Sequence, residues 1–170
     1  MMNIYIVGYP CCGKTSLGKK IAKKIGYNFV DLDHLFEEEY KITIPDFFEK
    51  YSEEAFRICE RKILHSTASL KKTVIATGGG TPCYFDNMEF INKNGTSIYL
   101  QRCVGFLTER LKNTKQNRPL LQNISTEEMP LYIEKQLSSR EAYYLKSHIV
   151  TSLQSPIKIV ELIKETINID

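Results

Sequence analysis

The sequence predicts a three-layer α/β domain, in which helices cover both faces of a parallel β-sheet. Short β-branched segments alternate with amphipathic helical patterns, and neither an internal repeat nor a flexible linker divides the chain. Strands that alternate with helices form βαβ units, which place neighbouring strands in parallel. Because 170 residues fall within the usual range for one domain, we expect a single domain over residues 1–170.

Five short segments have the composition of strands. The first, at 4–7, is apolar on both faces and predicts a buried parallel strand that ends at Gly8. The other strands are predicted at 28–30, 73–76, 97–100 and 148–151.

Apolar residues at helical spacing predict the helices between these strands. The first helix starts at Lys14 and ends at Ile25, where Gly26 supplies a C-cap. Further helical patterns lie around 35–36 and 47–51, and at about 53–70, 104–112, 126–145 and 156–167. The polar stretch at about 113–125 lacks this periodicity, and we interpret it either as a lid or as an ordinary surface loop.

Composition excludes several classes of protein. The 23 Lys and Arg against 20 Asp and Glu give a net charge of +3, too small a surplus to predict nucleic-acid or membrane binding. The five cysteines form no CxxC pair and the three histidines lack ligand spacing, so we expect neither disulfides nor zinc, and a reduced cytoplasmic setting. No signal peptide or membrane span is expected.

A phosphate-binding loop follows the first strand. Residues 8–15, GYPCCGKT, match G-x-x-x-x-G-K-[ST] between a strand and an amphipathic helix. Glycines let backbone N–H groups converge on phosphates at a helix N-terminus, Lys14 adds positive charge, and the Thr15 hydroxyl can ligate Mg²⁺. A ligand-free turn does not explain Lys14 and Thr15 together. The small side chains of Cys11 and Cys12 suit a tight loop, and oxidation of these thiols is the alternative interpretation.

Acidic residues follow the second predicted strand, at the sheet edge where ligands bind. Asp31 and Asp33 could share one side, one near Mg²⁺ and the other near an acceptor hydroxyl. The alternative for Asp33 is an N-cap of a helix that begins at His34. Arg57 and Glu60 lie three residues apart on a predicted helix, with a solvated salt bridge as the alternative.

Further candidates lie downstream. Three successive glycines at 78–80 follow the third predicted strand and would let backbone N–H groups approach a ligand closely. Arg118 lies in the predicted lid, and Arg140 lies near the end of a predicted helix. Each of these arginines, taken alone, is compatible with an ordinary surface position.

Together these motifs resemble the shikimate kinase family over nearly the whole chain. They occur in family order as GYPCCGKT, DLD at 31–33, FRICE at 56–60, GGG at 78–80, RPLL at 118–121 and REAYY at 140–144. The combination separates the chain from adenylate, guanylate and gluconate kinases. The resemblance implies a P-loop kinase fold with five parallel strands in the order 2-3-1-4-5 and a lid. It also implies transfer of the ATP γ-phosphoryl group to the 3-hydroxyl of shikimate, in the pathway to chorismate and aromatic amino acids.

The resemblance further implies the roles of individual residues. Asp33 would orient the shikimate hydroxyls, and Glu60 would hold Arg57. The catalytic residues would be Lys14, Asp33 and Arg118. Mg²⁺ would be bound by Thr15 and Asp31. Shikimate would be bound by Asp33, Arg57, Gly78, Gly79, Gly80 and Arg140. ATP would be bound by Gly8, Cys11, Cys12, Gly13, Lys14, Thr15, Ser16, Arg118 and Gln154.

The sequence departs from the family pattern where an arginine commonly stacks on adenine. Residues 112–115 contain no arginine, so Arg110 and the loop 153–156 with Gln154 are the candidates for adenine contacts. The two alternative functions are a related kinase for another polyol or acid acceptor, such as gluconate, and a non-catalytic nucleotide-binding or regulatory module. We expect ATP and shikimate as ligands, and a monomer that binds neither nucleic acid nor a membrane.

Overall fold

The computed structural model describes residues 2–113 and 124–167. Five parallel strands form one sheet in the order β2-β3-β1-β4-β5, which confirms the predicted fold class. The strands are β1 (Asn3–Val7), β2 (Asn28–Asp31), β3 (Thr73–Ala76), β4 (Gly95–Leu100) and β5 (Ile149–Thr151).

Eight helices connect the described strands and cover the sheet. They are α1 (Lys14–Ile25), α2 (Leu32–Tyr40), α3 (Ile44–Lys50), α4 (Glu53–Ser66), α5 (Asn87–Asn94), α6 (Val104–Lys112), α7 (Met129–Tyr144) and α8 (Pro156–Ile167). None of them is long and apolar enough to cross a membrane. The predicted helix at 53–70 ends earlier, because a 3₁₀ turn at Thr67–Ser69 follows α4. Helix α5 was missed in the sequence.

The side chains of strand β1 pack into two apolar clusters, one on each face of the sheet. Its side chains alternate between the two faces of the sheet, so Ile4 and Ile6 join one apolar cluster while Tyr5 and Val7 join the other. All four residues are fully buried. The first cluster contains residues of α1 and α8, and the second contains residues of α2 and α4. A strand apolar on both faces is therefore buried between two helical layers.

Strand register brings distant segments to one edge of the sheet. Asp31 at the end of β2 pairs with Ala76 at the end of β3, and Ala76 pairs with Ile6 near the end of β1. Because the strands are parallel, the segments after Val7, Asp31 and Ala76 leave the sheet side by side.

Candidate active site

The phosphate loop joins β1 to α1 through backbone conformations that favour glycine. Gly8 has φ +146° and Gly13 has φ +103°, a region that side chains rarely adopt. The buried Lys14 curls back, and its Nζ donates to the carbonyl oxygens of Gly8 at 2.8 Å and Tyr9 at 3.0 Å. The first turn of α1 carries no acidic residue, so its positive end suits an anion.

Cys12 fills the space beneath the phosphate loop. It is 2% exposed, and a Cβ atom on Gly8 would lie 2.9 Å from its Sγ. The same sulfur lies 3.9 Å from Lys14 Nζ. This packing agrees with the interpretation of Cys12 as a small side chain that fits the loop, and oxidation of the two thiols stays a prediction.

The two residues predicted to hold Mg²⁺ lie in contact. Thr15 Oγ1 at the start of α1 donates to Asp31 Oδ2 at 2.6 Å. The other carboxylate oxygen of Asp31 accepts from the backbone N–H of Asp33 at 3.0 Å, so Asp31 is the N-cap of α2. The alternative in which Asp33 caps a helix from His34 is wrong, because the helix begins two residues earlier, at Leu32. Asp33 instead lies exposed in the first turn of α2.

Arg57 is held in a buried ion pair on α4. Its Nη1 donates to Glu60 Oε2 at 2.9 Å, and the two side chains are 9% and 6% exposed. The alternative of a solvated salt bridge is therefore wrong. Glu53 accepts from Nη2 at 3.0 Å on the other side, and Tyr84 stacks with the guanidinium at 4.1 Å. Burial alone would lower the pKa of Arg57, but the charge of Glu60 and the hydrogen bonds to both carboxylates raise it.

The three glycines lie where the other site residues converge. A Cβ atom on Gly78 would lie 3.0 Å from Asp33 Oδ1, and one on Gly80 would lie 2.7 Å from Arg57 Nη1. A Cβ atom on Gly79 would collide with the ring of Pro10 in the phosphate loop. Real Cβ atoms essentially never lie under 3.0 Å from other atoms, so a side chain at Gly79 or Gly80 would have to displace Pro10 or Arg57. The phosphate loop, Asp33 and Arg57 thus all border one backbone segment.

Arg140 approaches the same region from α7. It is half-buried, and its guanidinium lies 5.6 Å from the ring centre of Tyr9 in the phosphate loop. Hydrogen bonds from Tyr84 and Arg57 outweigh partial burial and lower the pKa of Glu53, and the charge of Arg140 adds to this effect. Arg57 and Arg140 therefore both lower the pKa of the Glu53 carboxylate, which indicates that the two guanidinium groups lie in the same region. Arg118 and residues 114–123 of the predicted lid lie outside the described residues.

A cavity of about 200 Å³ adjoins the phosphate loop on the side of α6. Both residues proposed from sequence for adenine contacts, Arg110 and Gln154, line it. An Nη atom of Arg110 lies 3.8 Å from where a Cβ atom of Gly13 would be. The remaining lining residues are Cys12, Gly13, Ser16, Leu17, Lys20, Arg102 and Phe106.

Sequence analysis missed several residues that shape the site. Glu53 could have been found from its i, i+4 spacing to Arg57, a spacing that favours ion pairs in helices. Arg102 could have been found because it follows the end of β4, at the same edge as the other site residues. Tyr144 belongs to the REAYY segment at 140–144, but no local pattern predicts its contact with Gly79, 65 residues away.

A phosphate loop after the central strand of a 2-3-1-4-5 parallel sheet defines this protein as a P-loop nucleotide-binding protein. The family model described as shikimate kinase matches residues 10–168. The chain therefore belongs to the shikimate kinase family, as its motifs predicted, and it is an ATP-dependent kinase.

Individual relatives agree with this assignment. A shikimate kinase of Parabacteroides distasonis is 43% identical over 149 residues, 88% of this chain and 86% of that protein. The solved shikimate kinase of Bacteroides thetaiotaomicron has a TM-score of 0.90 at 34% identity and covers 99% of both chains. The shikimate kinase of Acinetobacter baumannii, solved in complex with shikimate, has a TM-score of 0.89 at 33% identity, over 98% of this chain and 95% of that one. These similarities favour shikimate kinase over the gluconate-type kinase and the non-catalytic module.

Proposed function

We propose that this chain transfers the γ-phosphoryl group of ATP to the 3-hydroxyl of shikimate, giving 3-phosphoshikimate and ADP on the route to chorismate and aromatic amino acids. The observation that carries the proposal is the glycine segment at 78–80. Cβ atoms added at its three positions would meet Asp33, Pro10 of the phosphate loop and Arg57, so the segment lies beside all three residues. A group bound against this segment lies beside both the phosphate site and the acceptor residues. The relative solved with shikimate supports this choice of acceptor.

Shikimate is a carboxylate with three hydroxyl groups, and the acceptor side of the site offers partners for each kind of group. Arg57 and Arg140 bind the carboxylate, since guanidinium groups form charge-assisted and bidentate hydrogen bonds with carboxylates. The backbone N–H groups of Gly79 and Gly80 donate to hydroxyl oxygens, and Gly78 leaves room for the ring. Glu60 keeps Arg57 charged and fixed, as their buried pair at 2.9 Å indicates.

Asp33 accepts a hydrogen bond from the 3-hydroxyl of shikimate. This bond orients the hydroxyl oxygen toward the γ-phosphorus of ATP. The hydroxyl oxygen forms the new bond to the γ-phosphorus, and the bond from that phosphorus to the β–γ bridging oxygen breaks and releases ADP. The hydroxyl proton passes to the Asp33 carboxylate. Phosphoryl transfer depends mainly on positioning and on neutralisation of charge. Lys14 supplies one positive charge at the phosphates. Arg118 has the same proposed role, on the basis of its RPLL motif alone.

Mg²⁺ is proposed to bind at Thr15 and Asp31. One hydroxyl and one carboxylate, 2.6 Å apart, fit a cation that binds through one or two protein oxygens together with substrate phosphates. Within residues 2–113 and 124–167, no three or more His, Cys, Asp or Glu side chains could form a metal site of their own. Bound Mg²⁺ would neutralise negative charge on the phosphates.

The nucleotide is proposed to bind along the phosphate loop with its base in the cavity beside α6. The contacting residues from the loop are Gly8, Cys11, Cys12, Gly13, Lys14, Thr15 and Ser16. Arg110 and Gln154 border the cavity itself. Planar guanidinium groups stack on aromatic faces, so Arg110 suits an adenine ring.

We further propose a monomer in the cytoplasm. All residues with a proposed role belong to one chain, so the site needs no second copy. Sedimentation or size-exclusion chromatography with light scattering tests this point, and a stable dimer would contradict it.

A coupled ADP-release assay tests the proposed reaction. The protein with Mg·ATP is given shikimate, gluconate, a nucleoside monophosphate or no acceptor. We expect ADP release that depends on shikimate, with little from the others. Equal release with gluconate, or release only with a nucleoside monophosphate, would overturn the assigned roles of Arg57, Arg140 and the glycine segment.

A further inference from the structure

Tyr144 is a fully buried tyrosine whose hydroxyl reaches the acceptor side of the site. It is the last residue of α7 and is 0% exposed. Its ring packs against Tyr99 with centroids 5.0 Å apart. Its hydroxyl donates to the carbonyl oxygen of Gly79 at 2.5 Å. None of the roles described above uses this side chain.

The hydrogen bond from Tyr144 fixes one peptide plane of the glycine segment. The carbonyls of Gly78 and Gly80 accept from the nearby N–H groups of Thr81 at 3.3 Å and Cys83 at 2.9 Å. The carbonyl of Gly79 between them takes its donor from Tyr144, 65 residues away. In a planar trans peptide the N–H points opposite to the carbonyl. By holding the Gly79 carbonyl, the phenol therefore sets the direction of the Gly80 N–H.

The same phenol lies close to Arg140, the arginine proposed to bind the substrate carboxylate. Arg140 lies one helical turn before Tyr144 on α7, and its positive charge opposes the rise in the pKa of the phenol. A tyrosine hydroxyl that donates to Gly79 can still accept a hydrogen bond from a guanidinium group. Burial raises the pKa of Tyr144 although Arg140 opposes the change, which keeps the phenol protonated as a donor to Gly79.

We propose that Tyr144 is a positioning residue for the acceptor, which aligns the Gly80 N–H and Arg140 through one buried hydroxyl. This proposal rests on the proposed function, because it assumes that the glycine segment and Arg140 bind shikimate. It assigns a role in affinity for the acceptor and none in binding ATP. The ring alone would serve for packing, so the hydroxyl carries the distinct role.

Tyr144→Phe removes only the hydroxyl and tests the proposal. We expect the KM and Kd for shikimate to rise about 3–10-fold, as for loss of one or two hydrogen bonds, while the KM for ATP changes less than twofold. Calorimetry supplies Kd together with the fraction of binding-competent protein, so partial unfolding lowers the stoichiometry and leaves Kd unchanged.

Tyr5→Phe is the matched control. Tyr5 is also fully buried, and its hydroxyl bonds to Thr67 at 2.9 Å, a partner in the 3₁₀ turn that follows α4. We expect this variant to lose thermal stability without a change in either KM. Tyr143→Phe changes the more exposed neighbour on the same helix and should also leave both KM values unchanged.

Several results would overturn the proposal. A shikimate KM for Tyr144→Phe within twofold of the unaltered protein, or an equal rise for ATP, would remove the positioning role. Loss of folding in Tyr144→Phe but not in Tyr5→Phe would show that the hydroxyl is chiefly structural. Failure of the proposed function is distinguishable, since the unaltered protein would then show no shikimate-dependent ADP release.

Discussion

The nucleotide side and the acceptor side of the site are built in different ways. The phosphate loop is one contiguous segment, and Lys14 bonds to carbonyl oxygens only five and six residues away. The acceptor side takes Asp33 from α2, Arg57 from α4, the glycines that follow β3 and Arg140 from α7. The first region is specified locally, whereas the second exists only when the sheet and four separate segments are assembled.

This difference extends to how each side is held rigid. The backbone of the phosphate loop supplies its own acceptors for Lys14, so few distant residues are needed. On the acceptor side, Arg57 is held by Glu60 and Glu53 of its own helix, whereas the glycine segment depends on Tyr144, 65 residues away. Substitutions that remove these contacts should weaken the binding of shikimate and leave the binding of ATP unchanged.

The largest expected effect on the acceptor side comes from Asp33→Asn. Loss of the carboxylate removes the acceptor for the 3-hydroxyl proton, and we expect kcat to fall about 10²–10⁴-fold with nearly unchanged ATP binding. Steady-state kinetics and calorimetry with ATP measure both quantities. Asp46→Asn is the control, since Asp46 is also a first-turn aspartate, on α3. An unchanged kcat would remove the proposed role of Asp33.

A smaller effect is expected from Arg57→Lys, which keeps the charge opposite Glu60 but loses the forked guanidinium. Replacement by alanine would strand a buried carboxylate and confuse binding with folding. We expect the shikimate KM to rise roughly tenfold with little change for ATP. Arg61→Lys, at an arginine paired with Asp86 on the surface, should behave like the unaltered protein. Equal losses for both substrates would instead indicate a folding defect.

The smallest effect should come from Arg102→Leu on the nucleotide side. Arg102 is buried and donates to the carbonyls of Gln101 at 2.7 Å and Leu153 at 3.1 Å. It thereby ties the loop that carries Gln154 to the end of β4. We expect the KM for ATP to rise about threefold and that for shikimate to stay constant.

Arg61→Leu is the matched control for Arg102→Leu. Arg61 stacks on Phe85 at 5.1 Å much as Arg102 stacks on Phe106 at 5.5 Å, and it lies outside the proposed site. A selective rise in the shikimate KM of Arg102→Leu would reverse the assignment of this residue to the nucleotide side.

Elements with a strong local pattern were predicted correctly from the sequence, and elements that depend on tertiary packing were not. The strands and α1 were predicted because their apolar periodicity is strong and local. Helix α5 was missed because its sequence, NMEFINKN, holds three asparagines, which are weak helix formers. Its buried Met88 and Ile91 gain stability only once they pack against the sheet. One alternative places the cap of α2 at Asp33, because spacing alone does not locate the first residue of α2.

The sequence by itself determined the α/β class, the phosphate loop and the family, because each depends on contiguous motifs or on periodicity along the chain. Only the tertiary structure decided that Arg57 is buried between two carboxylates, that Arg110 and Gln154 border one cavity, and that Tyr144 holds Gly79. These contacts join residues whose side-chain directions are set by strand register and helix packing. The spacing of Arg57 from its two carboxylates on α4 is a local pattern, but the burial of the pair, the cavity and the contact with Gly79 arise only when the layers pack against one another.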